Sequence, residues 1–172
     1  MKRVPIKPAE LAGWIIEQLP AGILLNSAAN GEMDTMTIGW GTIGIDWSRQ
    51  VFNVYVRESR HTKSLLEANP EFTLSIPLKG SDCRQILGYC GTKSGRDVDK
   101  FKEMNLTAIE GEKVSTPAIL ELPLTLECKI IYKQDQDPDA IPADILSRYY
   151  PTGDFHTVYT GQIVACYQLE ND

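Results

Sequence analysis

The chain is 172 residues long, with 42% hydrophobic and 23% charged residues, a composition that excludes a disordered or fibrous protein. A chain of this length buries roughly 70% of the surface its unfolded form exposes, so a core forms without disulfide or metal. Seventeen Lys and Arg against 23 Asp and Glu leave a net charge of −6, which argues against nucleic acid or an anionic membrane as a partner. No apolar run approaches the ~18 residues of a bilayer span. Met1-Lys2-Arg3 is followed by Val4-Pro5-Ile6-Lys7-Pro8, which is no secretory h-region, and a cytoplasmic protein is expected. Cys83, Cys90, Cys128 and Cys166 lack zinc-site spacing and read as reduced, packed thiols.

One domain is expected, with an N-terminal helix in 1–20 and a barrel over 21–169. Leu11, Trp14, Ile15 and Leu19 share a face, giving a helix over 8–19 that Pro20 stops. Residues 21–25 read as a short strand, Asn30-Gly31 as a two-residue hairpin turn, and 36–45 as a Gly-rich strand. The run from Val51 to Arg57 is a clear strand. Ser59 is placed to cap a helix reaching Ala68, which Asn69-Pro70 ends. There follow a strand over 72–76, a helix from a Ser81 cap to Tyr89, a loop over 91–95 and a helical turn or two over 97–104, with Asp97 or Ser94 as cap. A strand over 122–133, a turn over 134–138 and a strand over 155–169 complete the chain. Six or seven strands mostly follow one another, with three or four short helices. That pattern predicts a mainly β fold, an antiparallel barrel with rim helices, over a parallel doubly wound sheet.

Gly39-Trp40-Gly41-Thr42-Ile43-Gly44 has the form of a dinucleotide fingerprint, but Gly44 opens no helix, so the phosphate-binding geometry is missing. These glycines either admit a ligand or second strand close to the backbone, or mark a bend or bulge. The sharpest constellation is Arg57-Glu58-Ser59-Arg60-His61-Thr62-Lys63, where a strand gives way to a helix. Free N–H groups and the positive dipole end make such a start an anion site. Hydroxyls of Ser59 and Thr62 and the cations Arg57, Arg60 and Lys63 suit a phosphate monoester, which carries about −1.5 to −2 charges. The alternative is a capped surface helix with solvated cations. Three cations there oppose the helix dipole, so an offsetting group is expected nearby. Gly91 to Phe101 forms a second polar loop-to-helix junction. His156, at the start of the last strand, reads alone as structural, and His61 as a helix-surface residue.

Four segments, in order, resemble the flavin reductase-like, FMN-binding split-barrel family, which includes the flavoredoxins. They are Met36-Thr37-Ile38-Gly39-Trp40-Gly41, Arg57-Glu58-Ser59-Arg60-His61-Thr62, Ser94-Gly95-Arg96-Asp97-Val98-Asp99-Lys100-Phe101 and His156-Thr157-Val158-Tyr159-Thr160-Gly161. The resemblance spans about residues 20–168, and the third segment is its most specific part. It implies a cytoplasmic homodimer of antiparallel split β-barrels with FMN between the barrel wall and a rim loop. Thr37, Trp40, Gly41 and Thr42 would flank the isoalloxazine, with backbone amides toward its polar edge. Arg57, Ser59, Arg60, Thr62 and Lys63 would hold the ribityl phosphate, and Ser94, Gly95 and Arg96 would also bind the cofactor. Lys100 would sit near the N1/C2-carbonyl edge, and His156 where a nicotinamide can stack, making both the catalytic candidates. The implied activity is hydride transfer from NAD(P)H to flavin N5, then delivery to a flavin or redox-protein acceptor. A cation near N1, Lys100 or Arg96, would favour the reduced form. The alternative is a non-catalytic FMN electron carrier served by a protein partner. The third segment argues against the related amine-oxidising phosphate-dependent group. One departure is Asp34, where many relatives carry Asn; a carboxylate there either points elsewhere or lowers the flavin potential. Ending at Asp172, without the extension some relatives lay over the flavin, the chain is expected to leave its site more open.

Overall fold

Side chains alternating about each strand build one large sheet in this computed structural model, which describes residues 1–170. In β5 (Arg49–Arg57), Phe52, Val54 and Val56 are fully buried while Asn53, Tyr55 and Arg57 on the other face are half-buried. In β2 (Ile23–Ala29), Ile23 and Leu25 join the main core, and Leu24 faces a second one. Two-faced burial of this kind requires cover on both sides, and helices supply it.

The remaining strands are β1 (Lys2–Pro5), β3 (Glu32–Ile38), β4 (Gly41–Asp46), β6 (Glu71–Ile76), a small pair β7 (Ala108–Ile109) and β8 (Ala118–Ile119), β9 (Leu124–Asp135) and β10 (His156–Glu170). Five α-helices lie between them: α1 (Pro8–Gln18), α2 (His61–Ala68), α3 (Arg84–Thr92), α4 (Lys100–Glu103) and α5 (Ala143–Tyr149). The sheet runs β3-β2-β6-β9-β10-β5-β4, with β1 also on β10, and all its pairs are antiparallel. Leu11, Ile15 and Leu19 of the N-terminal segment and Leu66 of α2 close the main core with Phe72, Leu74, Leu126, Tyr159 and Ile163. Leu87 and Cys90 of α3 and Phe101 of α4 cover Leu24, Ile119 and Leu122. All four cysteines are unbonded. Burial pushes the Cys90 thiol up to about 11 and Cys166 up to about 12, as inert packed thiols require.

The Asn-Gly hairpin is present: Asn30 (φ 55°) and Gly31 (φ 82°) join β2 to β3 with Ala29 opposite Glu32. The segment 36–45, expected as one strand, is two. β3 ends at Ile38, the chain turns at Gly39-Trp40, and β4 starts at the opposite end of the sheet. β3 and β4 do not pair, so the sheet stays split at this corner. Gly41 has a packing role: an added Cβ would meet the Phe52 ring at 2.6 Å.

Three helix starts differ from expectation. α2 opens at His61 with Arg60 as its N-cap, because the Ser59 side chain is bound to Asp154. α3 opens after Cys83, since Ser81 Oγ donates to Leu78 O. α4 is a single turn capped by Asp99, whose carboxylate accepts from Lys102 N–H, and not by Asp97 or Ser94. β1, the small β7–β8 pair and α5 were not anticipated. α5 is exposed nearly all round, so no apolar stripe marks it in the sequence. Among the described residues, no helix is long and apolar enough to cross a membrane.

Candidate functional site

The corner where the sheet splits is also where it opens. Met36, Thr37, Ile38, Gly39 and Trp40, leaving β3, form one wall of a cleft of about 170 Å³. Tyr55 and Arg57 of β5, Arg60 and His156 form the other. Among the described residues, the N–H and C=O groups of Gly39 and Trp40 make no backbone hydrogen bond. Trp40 is 41% exposed and packs its ring 5.2 Å from Tyr149 and 5.0 Å from His156. Flat rings beside unpaired peptide groups suit a planar ligand with a polar edge.

A second cleft, about 110 Å³, continues from the first through the shared residues Met36 and Arg60. It is lined further by Asp34, Ser59, His61, Thr62, Lys93, Ser94, Gly95 and Lys100. Here α2 begins, and the N–H groups of His61 and Thr62 have no acceptor among the described residues. Among the described residues, the Arg60 and Lys93 side chains make neither ion pair nor hydrogen bond. Unpaired N–H groups, two unpaired cations and the Ser94 hydroxyl suit an anion at this end, while the buried Thr62 hydroxyl is turned to Asp34 Oδ2 at 3.4 Å.

The expected phosphate set is thus partly redistributed. Arg57 lines the first cleft, but its guanidinium donates to Asp154 O (2.8 Å) and Tyr149 O (3.0 Å) and lies over the Tyr150 ring. Ser59 gives both N–H (2.9 Å) and Oγ–H (2.7 Å) to the Asp154 carboxylate, so an internal anion holds it. Burial works to raise the Asp154 carboxyl, but the Ser59 bonds and the nearby Arg57 charge outweigh it and hold it below the usual range. Lys63 turns away from both clefts, donating to Thr157 Oγ1 at 2.7 Å and Glu58 at 3.1 Å. His61 is not a surface residue: its side chain is 11% exposed, and Nε2 lies 2.7 Å from Glu32. Asp154, Glu58 and Glu32 are the groups that offset the cations at this helix start.

The rim loop folds back on the same corner. Arg96 Nη1 donates to Ser59 O at 2.8 Å, and Ser94 Oγ accepts from Arg96 N–H. Lys100 is 3% exposed and donates to Thr35 O at 2.6 Å and to Asp34 at 3.0 Å. Asp34 therefore points at Lys100 and neutralises it. Gly95 lies against that carboxylate so closely that a Cβ would fall 2.4 Å from Asp34 Oδ1. Thr37 lines the first cleft, but its hydroxyl is committed to Leu87 O at 2.6 Å. Gly41 and Thr42 lie on edge strand β4 outside both linings, with Thr42 Oγ1 accepting from Asn53 at 2.9 Å.

His156 stands between the two arms of β5 and β9, 7% exposed. Its Nδ1 lies 2.8 Å from Tyr150 Oη. Burial, and secondarily the Arg57 charge, push the imidazole down to about 4, so it is neutral at physiological pH. Sequence reasoning missed Tyr55, Lys93, Gln136 and the aromatic pair Tyr149–Tyr150. Only the low-specificity Gly91–Gly95 loop hinted at Lys93.

The chain belongs to the flavin reductase like domain family, which it matches over residues 16–172. The split antiparallel barrel is that family's fold. Among curated proteins it is 28% identical over 131 residues to an uncharacterized protein of Archaeoglobus fulgidus, covering 76% of this chain and 63% of that one. Among solved structures, flavoredoxin from Methanosarcina acetivorans is 25% identical with a TM-score of 0.67, over 87% of this chain and 68% of that one. An FMN-binding domain of a flavin reductases-like enzyme from Shewanella baltica OS155 superposes with a TM-score of 0.70 at 15% identity, over 97% and 77% of the two chains.

Proposed function

We propose that this chain binds FMN and acts in the cytoplasm as an NAD(P)H-dependent flavin reductase. The observation that supports the reading most is the continuity of the two clefts through Met36 and Arg60. One end offers aromatic rings and unpaired peptides, the other a helix start with unpaired cations. A heteroaromatic ring joined to a phosphate by a short polyol matches that order, and FMN has this form. The residues fit it. Arg60, Lys93, Ser94 and the first N–H groups of α2, that of Thr62 included, would hold the phosphate, and peptides 39–40 the polar edge of the ring. When bound, FMN supplies the hydride and electron chemistry, and the protein supplies position and field. Lys100 contributes less field than a bare cation, because Asp34 sits 3.0 Å away. His156 and Trp40 would border the open ring face where a nicotinamide stacks, and a flavin or redox protein would take the electrons. A homodimer goes with this reading. The edge strand β4 carries exposed Ile45 (70%) with Trp47 (59%) at its turn, beside an apolar groove against Pro8, Ala9 and Ala12.

A second reading, a non-catalytic electron carrier, is favoured by the likeness to a flavoredoxin. Titration with FMN and with riboflavin, followed by stopped-flow mixing with NADH and NADPH, tests both. FMN is expected to bind at least tenfold more tightly than riboflavin, with Arg60→Ala erasing most of that difference and Lys63→Ala leaving it within twofold. Rapid bleaching of the flavin band by a nicotinamide supports the reductase, and bleaching only through a protein donor supports the carrier. Equal affinity for FMN and riboflavin would remove the phosphate site from the reading.

A further inference from the structure

The backbone N–H of His156 sets a chain of hydrogen-bond directions. It meets Gln136 Oε1 at 3.1 Å, and an N–H can only donate, so that amide atom is the oxygen. Gln136 N–H returns a bond to His156 O at 3.0 Å, which locks the two residues side by side just beyond β9. Tyr150 Oη lies 2.8 Å from the same Gln136 oxygen. That oxygen has no proton to give, so the phenol donates its single hydrogen there. Tyr150 Oη then has only lone pairs left for His156 Nδ1 at 2.8 Å, and Nδ1 must carry the ring proton. In a neutral imidazole this leaves Nε2 bare.

Nε2 meets no partner among the described residues. The buried side-chain polar atoms without a partner among the described residues are Arg3 Nε, Ser27 Oγ and Asn53 Oδ1, and Nε2 is not one of them. It therefore opens on the cleft that His156 lines. The charged groups around the ring are Arg57 from β5, Arg60 before α2, and Asp154 from the loop before β10; the two cations outnumber the carboxylate and resist a second proton.

We infer that Gln136 and Tyr150 are positioning residues that hold His156 as the Nδ1–H tautomer, so that Nε2 is a standing acceptor that selects a ligand ring bearing an amide or imide N–H. The inference rests on the functional reading above for its ligand, because both the flavin ring (at N3) and the nicotinamide carboxamide carry such a group. The tautomer itself rests on the fold alone.

Long-range proton–nitrogen spectra of the ligand-free protein read the tautomer directly. A protonated-type nitrogen shift at Nδ1 and an unprotonated-type shift at Nε2 are expected, and the reverse pattern would overturn the inference. Tyr150→Phe removes the acceptor and is expected to shift the ring toward the Nε2–H form. Binding then identifies the ligand. N3-methyl FMN is compared with FMN, and the 3-acetylpyridine analogue of NADH with NADH. Wild type is expected to lose about five- to tenfold in affinity for whichever analogue lacks the recognised N–H, and Tyr150→Phe to abolish that discrimination. If neither analogue is discriminated, Nε2 selects nothing and the inference fails, even should the variant prove unstable. A protein that holds the tautomer yet binds neither FMN nor NADH refutes the functional reading and the selection together. A reversed tautomer with FMN bound overturns the lock and the selection and leaves the functional reading standing.

Discussion

Asp34 and Lys100, with side chains 4% and 2% exposed, form the most deeply buried ion pair in the site. Each charge is tolerable only because the other is present. Removing one partner of such a pair typically costs about 3–5 kcal/mol, whereas replacing both with apolar groups is often neutral. Asp34→Asn should therefore lower the midpoint of chemical denaturation sharply, and Asp34→Asn combined with Lys100→Met should recover most of the loss. Additive losses in that cycle would show that the two charges do not act together. His156 gives a second prediction at this scale. Unfolded it titrates near 6.5, and folded at about 4, so below pH 6.5 the unfolded state binds more protons. Its contribution to stability is full above pH 6.5 and is lost as pH falls toward 4, by up to about 3 kcal/mol. Denaturation curves between pH 7 and 4.5 check this: His156→Asn should flatten the slope relative to wild type.

Among the elements, α5 depends most on a single residue outside it. Its seven residues bury no side chain, yet Arg57 grips Tyr149 O at its end and Asp154 O just beyond. Asp154, at φ 60°, in turn ties the loop to Ser59. A helix of that length has no stability of its own in water, so these polar ties and the Trp40–Tyr149 contact hold it against the rest of the fold. Arg57→Lys keeps the charge but loses the two-armed grip. Amide exchange across residues 143–155 should accelerate at least tenfold in that variant while α1 and β6 stay protected. Uniform acceleration would mean that Arg57 supports the whole barrel instead.

The molecule as a whole is arranged by the split. Because β3 and β4 are the two ends of the sheet, the chain between them bears unpaired peptides, and its cover comes from residues distant in sequence. Edge strand β4 exposes Ile45, and the turn that follows it exposes Trp47. If this edge joins two copies, Ile45→Glu should convert a sedimenting dimer into a monomer at micromolar concentration with little change in circular dichroism. A wild-type monomer, or an unaltered variant dimer, would place the interface elsewhere.

Much of this was legible from residues alone. Alternating apolar and polar residues marked β5, the 3.6-residue stripe marked α1, and Asn30-Gly31 marked its hairpin, because each pattern is local and set by backbone geometry. The strand-to-helix junction at residues 57–63 and its run of cations were likewise legible. Tertiary structure alone decided which cations remain unpaired there. Lys63 and Arg57 each lie three residues from Arg60, but apart from Glu58, which Lys63 meets locally, their partners Thr157, Tyr149 and Asp154 come from the far end of the chain, and no local spacing encodes those. The same holds for Lys100, whose charge is cancelled by Asp34 across the fold, and for His156, whose proton position follows from Gln136 and Tyr150. A sequence specifies the kinds of groups and the local turns that present them. Charge balance and proton placement depend on contacts made only when the sheet closes.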